Sequence, residues 1–340
     1  MAESGPIRLG VSYFGNRYPA HAERDLATMA AMGADDVVHV MSEADLRWNP
    51  GTIRQLVDLG RAHGLSSWLA PWGVGGVFGG EAASYAVGEH PDACQHDNRG
   101  APLPALCPRQ PAFWALLDAW LDAVVAAGAD TVLWDEPHLA ASGAPDGRWA
   151  CRCEACQAAF RDRIGTAMPV ELSADVQSLV RDLLDATLAR LVEAARRRGL
   201  ASAVVFLADD TYDPDRWRAA ASLPGVRWFG ATPYWLFHGV PPAAMPDYVR
   251  DWAKRIVAAT DGLPAAPLAW LQAFQVPAGR EAEIEHAAAI YAAAGVRALA
   301  VWAYLACVAM SGLAPDDPVA VWAAVERAFA ALRSPASNGA

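Results

Sequence analysis

Two carboxylates and three cysteines crowd a single stretch of the chain, TVLWDEPHLAASGAPDGRWACRCEAC, from Thr131 to Cys156. Thr131 to Trp134 is β-prone and follows a Gly-Ala-Asp turn, which places Asp135 and Glu136 where a strand stops, with Pro137 ending the ladder. Adjacent acids at a strand tip suit proton transfer, because their mutual repulsion pushes one pKa upward. The plainer reading is a solvated turn. Asp209 and Asp210 follow VVFLA and offer a second acidic pair, although either also suits the cap of the turn into Tyr212-Asp213-Pro214. Glu81, just after the glycine-rich GVGGVFGG, is a further acid, on a loop whose backbone can approach a ligand closely.

Cys151, Cys153 and Cys156 form C-x-C-x-x-C, too tight to staple a domain by disulfides but well spaced to wrap one metal ion. Zinc takes four such ligands in a tetrahedron, and Cys107, in ALCPRQPAF, is the best fourth. Four thiolates leave no open position for water, so the metal is expected to be structural. The alternative is a set of reduced, inert thiols.

These groups need a scaffold, and apolar strands alternate with amphipathic helices eight times along the chain. The strands are expected at Leu9 to Phe14, Val37 to Met41, Ser67 to Trp72, Thr131 to Trp134, Ala203 to Leu207, Trp228 to Thr232, Leu268 to Phe274 and Ala298 to Tyr304. Helices fall between them, among them Pro50 to His63 stopped by Gly64, Pro111 to Ala127, and Ala174 to Arg198 between Ser173 and Gly199 as caps. The pattern predicts an α/β fold, a single (β/α)8 TIM barrel over residues 1–333 with extended loops after strands three and four, and a disordered tail over 334–340. Barrel active sites lie at the C-terminal strand ends, where Asp135, Glu136, Asp209, Asp210, Tyr234, Gln272 and Tyr304 fall. Trp72, Trp235, Trp302 and Tyr304 are candidates for a sugar-stacking platform, and Tyr234 for a hydrogen bond to an acid. Trp114, Trp120, Trp252 and Trp322 sit at helical spacing and read as core, whereas His39, His138 and His238 near strand ends read as structural.

The chain has 340 residues, 54% of them hydrophobic and 19% charged, enough apolar content for a sizeable core. Its balance of 27 basic against 38 acidic side chains, net −11, argues against nucleic acid or an anionic membrane as partner. No apolar run is long enough to span a bilayer, and MAESGPIRLG carries no secretory pattern, so a cytoplasmic protein with free thiols or a metal is expected. No phosphate or dinucleotide loop is present, so no organic cofactor is expected. A homo-oligomer is compatible with all of this.

The set Cys107, Cys151, Cys153 and Cys156, with CP…P.F around the first and C.C..C...F, completed by Phe160, around the rest, resembles the structural zinc site of the family 42 β-galactosidases. That resemblance implies a clan A glycoside hydrolase barrel with its acid/base Glu ending strand four, which is Glu136 here, and its nucleophile Glu ending strand seven. Two positions depart from the family. Asp135 replaces the Asn before the acid, and WLQAF puts Gln272 where the nucleophile belongs, which an amide cannot replace. The expectation is therefore hydrolysis of a glycosidic bond in an oligosaccharide or glycoside, with Glu136 as general acid, Asp135 raising its pKa, Asp209 favoured as base and Gln272 binding substrate. A catalytically inactive sugar-binding barrel, and a lyase or isomerase on the same scaffold, are the alternatives.

Overall fold

The computed structural model describes residues 6–14, 16–141, 144, 146–209 and 211–334. Asp210 and the expected tail beyond Ser334 lie outside the described residues. The main strands are β1 Arg8–Tyr13, β2 Asp36–Val40, β3 Ser66–Ala70, β4 Thr131–Asp135, β5 Ala201–Leu207, β6 Val226–Thr232, β7 Ala266–Gln272 and β8 Ala298–Trp302. All pair in parallel and close a barrel in the order β1-β8-β7-β6-β5-β4-β3-β2. Eight helices cover the outside: α1 Pro19–Ala31, α2 Pro50–Ala62, α3 Pro111–Ala127, α4 Ala174–Arg197, α5 Pro214–Ala221, α6 Met245–Thr260, α7 Ala282–Ala294 and α8 Pro318–Arg333.

Strand alternation splits the apolar side chains into two cores. Val38, Val40, Trp68, Leu133, Trp228 and Trp270 point into the barrel, where the rings of Trp68 and Trp228 stack with centroids 6.2 Å apart. Val37, Val132, Trp134, Leu271 and Val301 point outward and meet the helices. Trp120, Trp252 and Trp322 are buried in that outer layer as expected, while Trp114 lies half-buried beneath the Arg190 guanidinium, 3.6 Å from the ring centre. Ser173 caps α4 by accepting from the Val176 amide at 3.3 Å. Arg333 at the end of α8 donates to the carbonyls of Gly33 and Ile7 and pairs with Asp35, tying the last helix to the turn between α1 and β2.

Several boundaries differ from the sequence pattern for local reasons. β7 stops at Gln272 because that side chain donates to the Phe274 carbonyl, at 3.1 Å, and bends the chain there. β8 stops at Trp302, and the chain turns through Leu305, Ala306 and Cys307, all at positive φ. The loop after β3 contains a short hairpin, Cys94–His96 with Pro102–Leu106, and the loop after β4 contains the helix Glu154–Ile164. Both loops are as long as expected, and both contain order that alternation alone did not reveal.

Candidate functional site

Asp135 ends β4 two residues after the inward Leu133, so its carboxyl enters the barrel mouth. Among the described residues no hydrogen bond reaches that carboxyl. Desolvation first, then the charges of Glu136 and Glu81, push its pKa well above the ordinary 3.8. Glu136 follows at φ 45°, a costly conformation for a residue with a Cβ, held by its amide donating to the Val205 carbonyl at 2.9 Å. Its Oε1 accepts the Thr232 hydroxyl of β6 at 2.6 Å. Desolvation raises the Glu136 pKa, the Thr232 bond opposes it, and Asp209 adds to the rise. The two adjacent acids repel one another, which raises the pKa of the pair, and the charges of Glu81 and Asp209 add to the rise from either side. Tyr234 is pushed up by burial and by both acids, so its phenol stays neutral beside them.

The raised pKa has a consequence for stability. Folded Asp135 holds its proton more tightly than the unfolded chain does, so stability falls as pH rises from 3.8 towards the folded value. Asp135→Asn is expected to remove that slope, at most about 1.4 kcal/mol per pH unit, and to raise stability at neutral pH. Thermal melts between about pH 4 and 8 check this; an unchanged slope assigns it to another group.

The glycine-rich segment after β3 lies over these acids. Gly79 donates to the Asp135 carbonyl at 3.1 Å, and a Cβ on Gly79 would sit 2.9 Å from Asp135 Oδ2. Gly80 has φ +113°, and a Cβ there would lie 2.5 Å from the Trp72 ring, so this path needs glycine at both positions. The space left beside Asp135 is about 20 Å³, room for about one water, between Tyr234, Trp270, Trp302 and the two glycines. The Trp270 indole N–H is buried there without a partner. A much larger cavity, about 600 Å³, lies to one side, over the ends of β8, β1 and β2, and shares Val40 and Trp72 with the small one.

The other expected residues divide clearly. Asp209 Oδ1 accepts from the Thr211 amide at 2.8 Å and hydroxyl at 2.6 Å, so Asp209 is a turn cap as well as a neighbour of Glu136. Asp210 lies outside the described residues. Glu81 is exposed and acts on Asp135 through its charge. Trp72 and Trp302 do gather at the mouth, 5.4 Å apart, and both pack on Phe14 at 5.1 Å. Tyr304 lines the large cavity and donates to Asp25 Oδ1 at 3.2 Å. Two expectations are corrected. Trp235 is fully buried among the helices, where its N–H donates to Glu283 at 2.8 Å, because the turn after β6 swings it outward. Gln272 is fully buried, its oxygen accepting from the Leu236 and Phe237 amides and its NH2 donating to the Phe274 carbonyl, so it braces the neighbouring turn instead of facing open space. Thr232 was not anticipated; only its inward parity, two and four residues beyond Gly230 and Trp228, signals it in the sequence.

The four cysteines do converge. Cys107, Cys151, Cys153 and Cys156 are buried, and their sulfurs all lie within 4.8 Å of one another. The Cys107 and Cys156 sulfurs are 3.7 Å apart, close to the edge of about 3.8 Å for a tetrahedron with Zn–S bonds of about 2.3 Å. The donor set therefore fits a soft metal ion with no position left open. Cys107 follows the hairpin, Cys151 lies beside the Asp97–Ala150 bridge, and Cys153 and Cys156 open the helix Glu154–Ile164. Buried Gln95 links hairpin and loop, donating to the Leu106 carbonyl at 3.0 Å and accepting from the Ala140 amide at 2.9 Å, four residues past Glu136.

No protein-family model and no curated protein sequence matches this chain. Solved structures do match it. The β-galactosidase from the psychrophilic Marinomonas ef1 superposes with TM-score 0.64 at 12% identity, covering 87% of this chain and 54% of that one. For the β-galactosidase from Bacillus circulans sp. alkalophilus the values are 0.65, 13%, 88% and 50%. For the endo-β-1,4-mannanase from Thermotoga petrophila they are 0.62, 10%, 100% and 79%. The chain spans about half the length of the two β-galactosidases. It shares the (β/α)8 barrel fold of these structures. Among the described residues no helix is long and apolar enough to cross a membrane.

Proposed function

We propose that this barrel hydrolyses a glycosidic bond, with Glu136 as general acid and Asp209 as general base. The observation that carries the reading is the setting of Glu136: it sits just past the C-terminal end of β4, burial and Asp209 raise its pKa, and Thr232 fixes one of its oxygens. Glu136 gives its proton to the glycosidic oxygen as the bond to the anomeric carbon breaks. A water attacks that carbon from the other face and passes its proton to Asp209. Asp135, held protonated, donates a hydrogen bond to the sugar instead of accepting one. A sugar ring reaches these groups only when the Gly79–Gly80 segment lifts, since about 20 Å³ is open beneath it. The barrel fold of solved glycoside hydrolases supports the reaction class.

Attack by water predicts inversion at the anomeric carbon. Proton NMR of the first-formed anomer checks this, and a retained product sends the assignment to a nucleophile in direct reach of the carbon. The locked amide of Gln272, which leaves β7 without a carboxylate in the mouth, favours a second reading: a barrel that binds a sugar without cleaving it. The two part on turnover of any glycoside. Within the proposal, Cys107, Cys151, Cys153 and Cys156 hold one structural zinc, which supplies cross-linking of two loops and no chemistry at the acids.

A further inference from the structure

The large side cavity adjoins the small space beside Asp135, and the chemistry of its walls is distinctive. Among the described residues, most hydrogen-bonding side chains of its wall are engaged with another wall residue. The Tyr13 hydroxyl donates to Asp25 Oδ2 at 2.7 Å and Tyr304 to Oδ1 at 3.2 Å, while Asn16 donates to the Tyr13 oxygen and to Asp25. Arg17 grips Asp45 through two bonds, at 2.7 and 2.9 Å, and donates to the Val40 and Asn16 carbonyls as well, so four of its five N–H groups are used. Ser42 donates to Asp45 at 2.9 Å. The Cys307 thiol, a weak donor, and the Trp72 indole N–H are the other polar side-chain groups of the wall.

What remains facing the space is apolar: Phe14, Val40, Trp72, Leu305, Val308 and Met310. Leu305 and Val308 are 39% and 51% exposed, unusual for side chains at the rim of a cavity this size. A second sugar ring would bring several hydroxyls to a wall with few free polar groups, so most would lose water without a replacement bond. The ring faces that would stack on sugar are also spent, because Phe14, Trp72 and Trp302 pack on one another. A volume of about 600 Å³ lies within the range of small-molecule sites. Its wall shares Val40 and Trp72 with the space beside Asp135, so a group in it would lie next to a sugar at the acids.

The geometry points to this cavity as the seat of an apolar aglycone, so that the substrate is a glycoside of an alkyl or aryl alcohol and not an oligosaccharide. The inference rests on the hydrolase reading above for its link to turnover, but not for the cavity's preference. Alkyl glycosides of one sugar, from methyl through butyl to octyl, hold the leaving group's acidity nearly constant. kcat/KM is expected to rise along the series by roughly fourfold per buried methylene until the cavity is filled. Ala309→Trp, which fills the cavity, and Val308→Asp, which charges its rim, are each expected to flatten the series by lowering kcat/KM for the octyl glycoside far more than for the methyl glycoside. A flat series in the native protein, or a disaccharide of the same sugar preferred to the octyl glycoside, overturns the inference. Binding of free 2-naphthol, followed by calorimetry, separates the two readings. If no glycoside is turned over, the hydrolase reading fails, and the cavity inference then stands on naphthol binding to the native protein that is lost in a folded Val308→Asp or Ala309→Trp variant. No binding, or equal binding to native and variant proteins, overturns it.

Discussion

Replacing Glu136 with glutamine is expected to lower kcat by about 10²- to 10⁴-fold while ligand affinity changes little. The amide matches the carboxylic acid in shape and still accepts the Thr232 hydroxyl, now 2.6 Å from Oε1. It has no transferable proton, so the leaving oxygen departs unassisted. Because desolvation and Asp209 raise the Glu136 pKa, the native enzyme is expected to lose activity towards alkaline pH as this proton is lost, and the variant's residual rate to lose that limb. Substrates with acidic leaving groups, which need no proton, should be rescued relative to alkyl glycosides. Full activity in Glu136→Gln, or an equal loss across all leaving groups, removes Glu136 from the acid role. A parallel Thr232→Val variant separates positioning from chemistry, since it frees the carboxyl without removing it.

The second large effect is expected at the cysteines. Elemental analysis should give one zinc per chain, and Cys153→Ser, or extraction with a strong chelator, should cost several kcal/mol, or about 5–10 °C in melting temperature. Four buried sulfurs within 4.8 Å of one another otherwise have little reason to converge so tightly from two separate loops. The damage should spread towards the acids by a definite route. Gln95 connects the hairpin before Cys107 to the Ala140 amide, and the His138 amide bonds the Val77 carbonyl at 3.0 Å, so the chain just after Glu136 is anchored to the hairpin before Cys107 on one side and the glycine-rich segment on the other. A metal-free protein with undiminished thermal stability would reduce the cluster to four packed thiols.

The barrel was legible because strands buried on both faces and helices buried on one leave different periods in the chain, and no composition break interrupts them. The position of Asp135 was legible for the same reason, as its parity with Leu133 fixes which way it points. Partnerships across the barrel were not. Thr232 and Glu136 are 96 residues apart, and nothing near either one announces the bond between them. Gln272 reads as a polar residue at the mouth, yet two backbone amides from the neighbouring turn consume it. Trp235 follows an inward-looking strand end, but the turn that carries it reverses its direction. The side cavity was equally hidden, since its walls come from the starts and ends of three β/α units, and only assembly shows that their polar groups satisfy one another.

Glu136 in its left-handed backbone conformation and Asp135 without a hydrogen-bond partner bear on how variants of this protein would fare under artificial selection. A glycine at position 136 would relieve a backbone cost of about 1–2 kcal/mol, and an asparagine at 135 would end a pH-dependent loss. Both gains fall on the pair to which the chemistry is assigned. A library screened for heat resistance alone would therefore enrich substitutions at these two positions and drift towards sturdy, inert barrels, whereas a screen that also demands turnover would have to find its robustness elsewhere, on the helices and outer loops.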